Sequence, residues 1–289
     1  MALWKPNSDA CLYAWYKGDT LGNVGASVTQ WSDSSGNGRK LGESGSVNPV
    51  VSATLNGHKG VQFGADTGMS RASFIDIDSK DFVVSMMFQD VGAAVDGLSE
   101  NGAVAFDLDS PTAGYGFRIT NFGDAIFAAF VGKDSGTNTF NNFFGGTITS
   151  GFTEFMSQVT NGVVITMSRI GDTVTVTVNG IQLDQFTESV TSTDADTFYL
   201  GSYSGVSGES NSTRAYEVAW VLDENLDPSL PHRFDGYMAR KYARKSRLLG
   251  SHAYNKFPPT ESLEISGTAG DIEGGLTRSV SSELSTVRI

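Results

Sequence analysis

The 289-residue chain holds one cysteine and three histidines, and its 20 basic residues are outnumbered by 32 acidic ones. Each shortage closes off a class of explanation. A lone Cys11 cannot form an intramolecular disulfide, so a disulfide-stapled framework is excluded. One Cys with dispersed His58, His232 and His252 presents no zinc spacing, and no metal site is expected. The formal net charge of −12 offers no basic footprint for a phosphate backbone, so nucleic acid is not an expected partner. No stretch approaches the roughly 20 apolar residues that span a bilayer, and acidity disfavours an anionic lipid surface, so no membrane partner is expected either. Met1-Ala2-Leu3-Trp4-Lys5-Pro6 leads into polar residues instead of an apolar signal core. No cleaved leader is therefore expected, and folding in a reducing cytoplasm fits.

What is present leans toward β-structure. There are 34 glycines, and apolar residues make up 39% of the chain, with 11% aromatic. That is enough for a core and for many tight turns. The clearest signal runs from Val163 to Thr187. Thr and Val alternate from Thr173 to Val178, Asn179-Gly180 provides the two φ > 0 positions of a type I′ turn, and Ile181 starts a return strand. Upstream, Val163, Ile165 and Met167 alternate with polar residues before the Gly171-Asp172 turn, predicting a three-stranded meander with one buried face. Further strands are predicted over Leu12–Tyr16, Gly60–Phe63, Phe82–Phe88, Ala103–Asp107, Tyr115–Thr120, Ala125–Val131, Thr197–Tyr203 and Arg214–Leu222. Asp227-Pro228 reads as a helix start, or the start falls near Ser229 or Leu230 because of Pro231, with Leu230, Phe234, Tyr237 and Met238 on one face. The expected fold is all-β: an antiparallel jelly-roll sandwich over residues 1–256 with one short carboxy-terminal helix, then an extended, aromatic-poor arm over 257–289.

Several segments in order are similar to concanavalin A-like, laminin-G-like domains of phage and bacterial surface proteins. LYAWYKGDT resembles that family's first strand, and VTQWSDSSGNGRKL its Trp, Asp and Ser-Gly-Asn-Gly turn. NPVVSATLNGHKGVQF resembles the next strand, SRIGDTVTVTVNG the late hairpin, FYLGSYSG the strand after it, and AYEVAWVLDENLDPSLPHRFDGYMARKYA the closing strand and helix. The resemblance covers roughly residues 10 to 254, counted from those segments. Residues 138–155 match poorly, and the arm lies outside it.

Enzyme signatures of this fold are missing. The Glu-x-Asp-x-x-Glu and Glu-x-Asp-x-Glu strands of glucanases, which place carboxylates in one cleft by period 2, do not occur. Asp76/Asp78 and Asp107/Asp109 lack Glu partners, and no Gly-x-Ser-x-Gly elbow accompanies the three histidines, which read as surface residues. No cofactor is expected. The one cation candidate is calcium at Asp33, Ser35 and Asn37, which copy the first half of an EF-hand loop but lack its closing Glu; the alternative is a polar turn. Trp15 and Trp220 read as core, and Trp31 as core or sugar platform.

Two surfaces stand out as contact candidates. Phe140, Phe143 and Phe144 lie among Asn and Gly in one loop. Arg240, Lys241, Arg244, Lys245 and Arg247 form a basic edge on an acidic protein, either capping the helix dipole or docking on an acidic neighbour. The resemblance implies a non-enzymatic virion structural protein, a head decoration or tail-associated component made in the host bacterial cytoplasm. Other virion proteins would contact it through the arm and the basic edge, and homo-oligomerisation stays open. The alternatives are an adhesion module recognising host surface glycans and, third, a polysaccharide depolymerase.

Overall fold

Alternating Thr and Val between Thr173 and Val178 place Val174, Val176 and Val178 on one face, all fully buried. Asn179 and Gly180 both have positive φ, 51° and 72°, giving the expected hairpin turn. The computed structural model describes residues 3–64, 66–75, 80–90, 103–109, 113–122, 125–134, 137–139, 158–187, 196–201, 213–248 and 250–260.

Strands β1 to β6 span Leu12–Lys17, Gln30–Trp31, Leu41–Glu43, Val50–Val51, Val61–Gln62 and Met69–Ile75. Strands β7 to β11 span Asp81–Asp90, Ala103–Asp109, Ala113–Phe122, Ala125–Asp134 and Thr137–Thr139. Strands β12 to β16 span Val163–Ile170, Thr173–Val178, Ile181–Thr187, Asp196–Gly201 and Thr213–Asp223, and helix α1 spans Leu230–Lys241. Among the described residues these form two antiparallel sheets. The first runs β14-β13-β12-β7-β16-β5-β4, with β1 also on β16; the second runs β11-β10-β9-β8-β15-β6-β3-β2.

The inner faces meet in one core in which Tyr16, Trp31, Phe74, Phe82, Phe198 and Trp220 pack together. Trp220 meets Phe198 edge-to-face at 5.3 Å between centroids, and Phe74 at 5.6 Å. Both Trp15 and Trp31 are buried as well, Trp31 completely, which decides its open reading in favour of core.

A second apolar cluster lies on the outer face of the first sheet. Val83, Met87, Val164, Tyr216, Ala219 and Val221 point outward from β7, β12 and β16 and are covered by Leu230, Phe234 and Met238 of α1. The meander therefore departs from the one-buried-face expectation: Val163 to Arg169 are all buried. Being covered on both sides is why Phe82 to Phe88 reads as a nearly continuous apolar run. The helix begins at Leu230 with Ser229 as N-cap, and Asp227 Oδ1 accepts from the Ser229 N–H at 2.9 Å. No described helix is long and apolar enough to cross a membrane.

The amino terminus closes this layer. Trp4 packs edge-on against Phe234 at 5.1 Å, and its N–H donates to the Pro259 carbonyl at 3.0 Å. The expected arm thus starts with residues 257–260 laid beside residue 4; its remainder, 261–289, lies outside the described residues.

Candidate functional site

With α1 packed on β7 and β12, the first sheet has its outer face occupied. The second sheet carries a different outer face. Backbone register pairs Gln30 with Gly42, Gly42 with Ser70, Ser70 with Tyr199, and Tyr199 with Asp107. Residues directly opposite in an antiparallel pair share a face. Their sequence neighbours Trp31, Leu41, Met69 and Leu200 are fully buried, so this row faces away from the core. Gln30 is exposed, and Gly42, Ser70 and Tyr199 are half-buried. A Cβ on Gly42 would meet nothing within 4 Å, so the row carries an open notch beside Ser70.

At the edge of this row, Gln30 also lines a cavity of about 160 Å³ with Thr20, Ser27, Thr29 and Ser32. Leu21, Val28 and Val51 supply its apolar floor, and its lining contains no carboxylate. Hydroxyl and amide groups over an apolar base, with the half-buried Tyr199 three strands further along the same face, suit a neutral, hydroxyl-rich ligand.

Between the first sheet and α1 sits a buried polar cluster that sequence reasoning missed. Glu217 is fully buried, and its Oε1 accepts from Trp15 Nε1 at 2.6 Å and Tyr237 OH at 3.0 Å. Its Oε2 accepts from Lys241 Nζ at 2.5 Å and Tyr242 OH at 3.0 Å. Burial, reinforced by the Glu217 charge, drives the Tyr237 and Tyr242 hydroxyls far above the ordinary phenol range. At the solvent edge Asp19 meets His58 Nδ1 at 2.9 Å and Lys241 at 3.4 Å. Burial raises Asp19, but the His58 hydrogen bond and the Lys241 charge outweigh it and hold the carboxyl below its ordinary value. Buried between the sheet and the helix, with all four of its donors drawn from β1 and α1 or its end, Glu217 reads as the centre of a framework that fixes α1 to the sheet.

The calcium candidates form a tight turn. Asp33 Oδ1 accepts from the Trp15 and Ser35 N–H groups at 2.9 and 2.8 Å, and Oδ2 from Ser35 Oγ at 2.8 Å and the Arg39 N–H at 2.9 Å. Asn37 Nδ2 donates to the carbonyls of Leu12 and Tyr13. Both Asp33 oxygens are therefore already engaged, Oδ1 tying the turn to β1 through Trp15 and Oδ2 closing the turn itself, and a cation would have to displace those donors.

The basic edge is divided. Arg240 turns to the carbonyls of Tyr254 and Asn255 at 3.0 and 3.3 Å, Lys241 is the inward partner of Glu217, and Arg244 is half-buried. Lys245 and Arg247 remain exposed. A run of basic residues shows charge but not direction, and 3.6-residue periodicity turns some of them inward. Phe140, Phe143 and Phe144 lie outside the described residues. The histidines also differ from expectation: His232 is exposed, but the His252 side chain is only 2% exposed, set against Asp235.

No family model and no curated protein sequence matches this chain. Solved structures do match in fold. Domain 4 of an extracellular family 43 arabinanase from Geobacillus stearothermophilus, in complex with arabinotriose, aligns with a TM-score of 0.51 at 15% identity, covering 78% of this chain and 98% of that one. A structure of botulinum neurotoxin type C, whose cell entry depends on interaction with two ganglioside molecules, aligns at 0.52 and 11% identity over 78% and 51%. The binding domain of botulinum neurotoxin DC, in complex with rat synaptotagmin II, aligns at 0.52 and 11% identity over 85% and 53%. The architecture is the concanavalin A-like jelly roll. This chain spans about half the length of the neurotoxin chains, and at these identities the likeness is one of fold.

Proposed function

We propose that this protein is a non-enzymatic carbohydrate-binding module that takes a glycan on the outer face of its second sheet. The observation that carries the reading is the open row of Gln30, Gly42, Ser70 and Tyr199 ending in the hydroxyl-lined cavity. Tyr199 offers a ring to the apolar side of one sugar, while Gln30, Thr29 and Ser32, three strand spacings or roughly 14 Å away, offer hydrogen bonds to the hydroxyls of another unit of the same oligosaccharide. The arabinotriose complex of the arabinanase domain supports this reading, as do the gangliosides of the neurotoxin. The non-enzymatic part rests on the sequence, which lacks the Glu-x-Asp-x-x-Glu and Glu-x-Asp-x-Glu strands that pair carboxylates in glucanases. The setting in a virion rests on the sequence resemblance, with exposed Lys245 and Arg247 as the remaining candidates for contact with a neighbouring subunit.

A glycan array probed with the full chain tests the proposal. Binding should be found and should weaken by roughly tenfold in Tyr199→Ala and in Gln30→Ala, a loss of about 1.4 kcal/mol, with the urea midpoint unchanged. Binding insensitive to both substitutions would move the site elsewhere. An array without a ligand would remove the function, and release of reducing sugar from a bound polysaccharide would make the protein a depolymerase.

A further inference from the structure

One buried polar group stands out. Among the described residues His252 Nε2 is buried with no hydrogen-bond partner. It faces Asp235 Oδ2 at 3.8 Å, and Asp235 is itself fully buried on α1. That separation is too long for a hydrogen bond. Two ligands on a tetrahedral zinc with bonds of about 2.0–2.1 Å stand roughly 3.3 Å apart, close to what is seen.

A third ligand is at hand. His232 lies one helical turn before Asp235, and one ligand atom from each of His232, Asp235 and His252 falls within 4.8 Å of the others. The two imidazoles meet edge-to-face at 5.3 Å between centroids. His232 is exposed, so its side chain has room to swing inward and leaves an entry path and an open coordination position. The opposite wall is rigid. A Cβ on Gly180 would stand 2.5 Å from His252 Cδ2, so the ring seats against the hairpin turn because that position is glycine.

The surroundings support ligation. Thr166 Oγ1 donates to Asp235 Oδ1 at 2.6 Å, which makes Ser85 the donor in its 2.8 Å contact with Thr166. Thr177 Oγ1 donates to Asp235 Oδ2 at 3.3 Å. Such outer hydrogen bonds orient a ligating carboxylate. One contact works against it. The Tyr254 N–H donates to His252 Nδ1 at 3.2 Å, which places the neutral ring's proton on Nε2. Ligation through Nε2 moves that proton to Nδ1 and opens the Tyr254 contact, exchanging one long neutral hydrogen bond for a metal–ligand bond.

We infer that His232, Asp235 and His252 form a binding site for a divalent transition metal of the zinc class, stapling the segment after α1 to the helix. Two imidazoles and one carboxylate suit zinc and not calcium, which takes oxygen ligands.

The test uses the untagged full chain, stripped with EDTA and titrated with zinc chloride against a chromophoric chelator. One ion per chain should bind with micromolar or tighter affinity and raise the Tm, calcium chloride should not compete, and cobalt should give tetrahedral visible absorption. His232→Ala, at an exposed position, should weaken zinc binding by roughly tenfold or more. His252→Ala should abolish it, and His58→Ala should leave it unchanged. No zinc binding by the unaltered chain would overturn the inference, as would affinity unchanged in His232→Ala or lost in His58→Ala; if His252→Ala fails to fold, the other two variants still decide.

Discussion

Replacing Glu217 by leucine removes the carboxylate on which four donors converge, and the structure sets the size of the effect. Lys241 loses a 2.5 Å partner while its side chain is only 15% exposed, so a mostly buried ammonium is left uncompensated. Breaking one side of a buried ion pair costs about 3–5 kcal/mol. The Trp15 indole and the Tyr237 and Tyr242 hydroxyls lose their acceptor too, at about 1–3 kcal/mol for each group left unsatisfied. Against this, Asp19 lies 3.4 Å from Lys241 and can take over part of its charge. The low ends of these ranges add to about 6 kcal/mol, and the Asp19 contact together with about 2 kcal/mol from burying the leucine side chain leaves a net loss of about 4 kcal/mol, a large share of the roughly 5–15 kcal/mol that holds a domain folded. At about 2–4 °C per kcal/mol the Tm should fall by on the order of 10 °C. Lys241→Met alone should also destabilise, because it leaves Glu217 buried with neutral donors. The double variant Glu217→Leu/Lys241→Met should lose less than the sum of the two, since replacing both charges leaves no orphaned ion. Urea unfolding of the four proteins, compared at constant m, reads this cycle. A loss below about 1 kcal/mol for Glu217→Leu, or strict additivity, would refute the view that this cluster fixes α1 to the sheet.

Asp33→Asn should destabilise by about 1–2 kcal/mol at neutral pH, because an amide cannot accept all four donors that close the turn and tie it to β1. Burial raises Asp33, but the hydrogen bonds from Ser35, Trp15 and Arg39 outweigh it and hold the carboxyl below its ordinary value. Its contribution is therefore complete above the ordinary carboxylate range and is lost as pH falls through the lower folded value. Urea midpoints should show the gap between the variant and the unaltered chain narrowing in acid, and a gap independent of pH would contradict this. Cys11 Sγ donates to Asp223 Oδ2 at 2.6 Å, and burial together with that carboxylate pushes the thiol up to about 12. Alkylation of the native protein at mildly alkaline pH should be slow and should accelerate in Asp223→Asn; fast labelling of the unaltered chain would show a thiolate that this environment does not permit.

Strands whose signal was local were readable along the chain. Thr173 to Val178 alternates and is followed by Asn-Gly, so periodicity and turn chemistry agree before any tertiary contact is considered. Strand β6, Met69–Ile75, was not expected, and Ser73 shows why: its φ of +48° shifts the alternation between buried Met69 and buried Phe74. Strands β2 to β4, of two or three residues each, are too short for period 2 to register, whereas β5 falls within the expected Gly60–Phe63. For the candidate site even less was visible. Gln30, Gly42, Ser70 and Tyr199 are unremarkable residues on separate strands, aligned by register alone.

By itself the sequence determined an acidic all-β chain, its hairpin turn, most of its long strands and its one late helix, because those follow from residue periodicity and backbone preference over a few neighbours. Tertiary structure alone decided partners. It turned Lys241 inward to Glu217 and Arg240 to the backbone beyond the helix, although both had read as part of one basic edge. It set His252 against Asp235, and it placed α1 on the first sheet and left Gln30 exposed and Ser70 and Tyr199 half-exposed on the outer face of the second. Periodicity tells which side of an element is apolar, but a buried charge is defined by what lies opposite it, and that partner comes from a distant part of the chain.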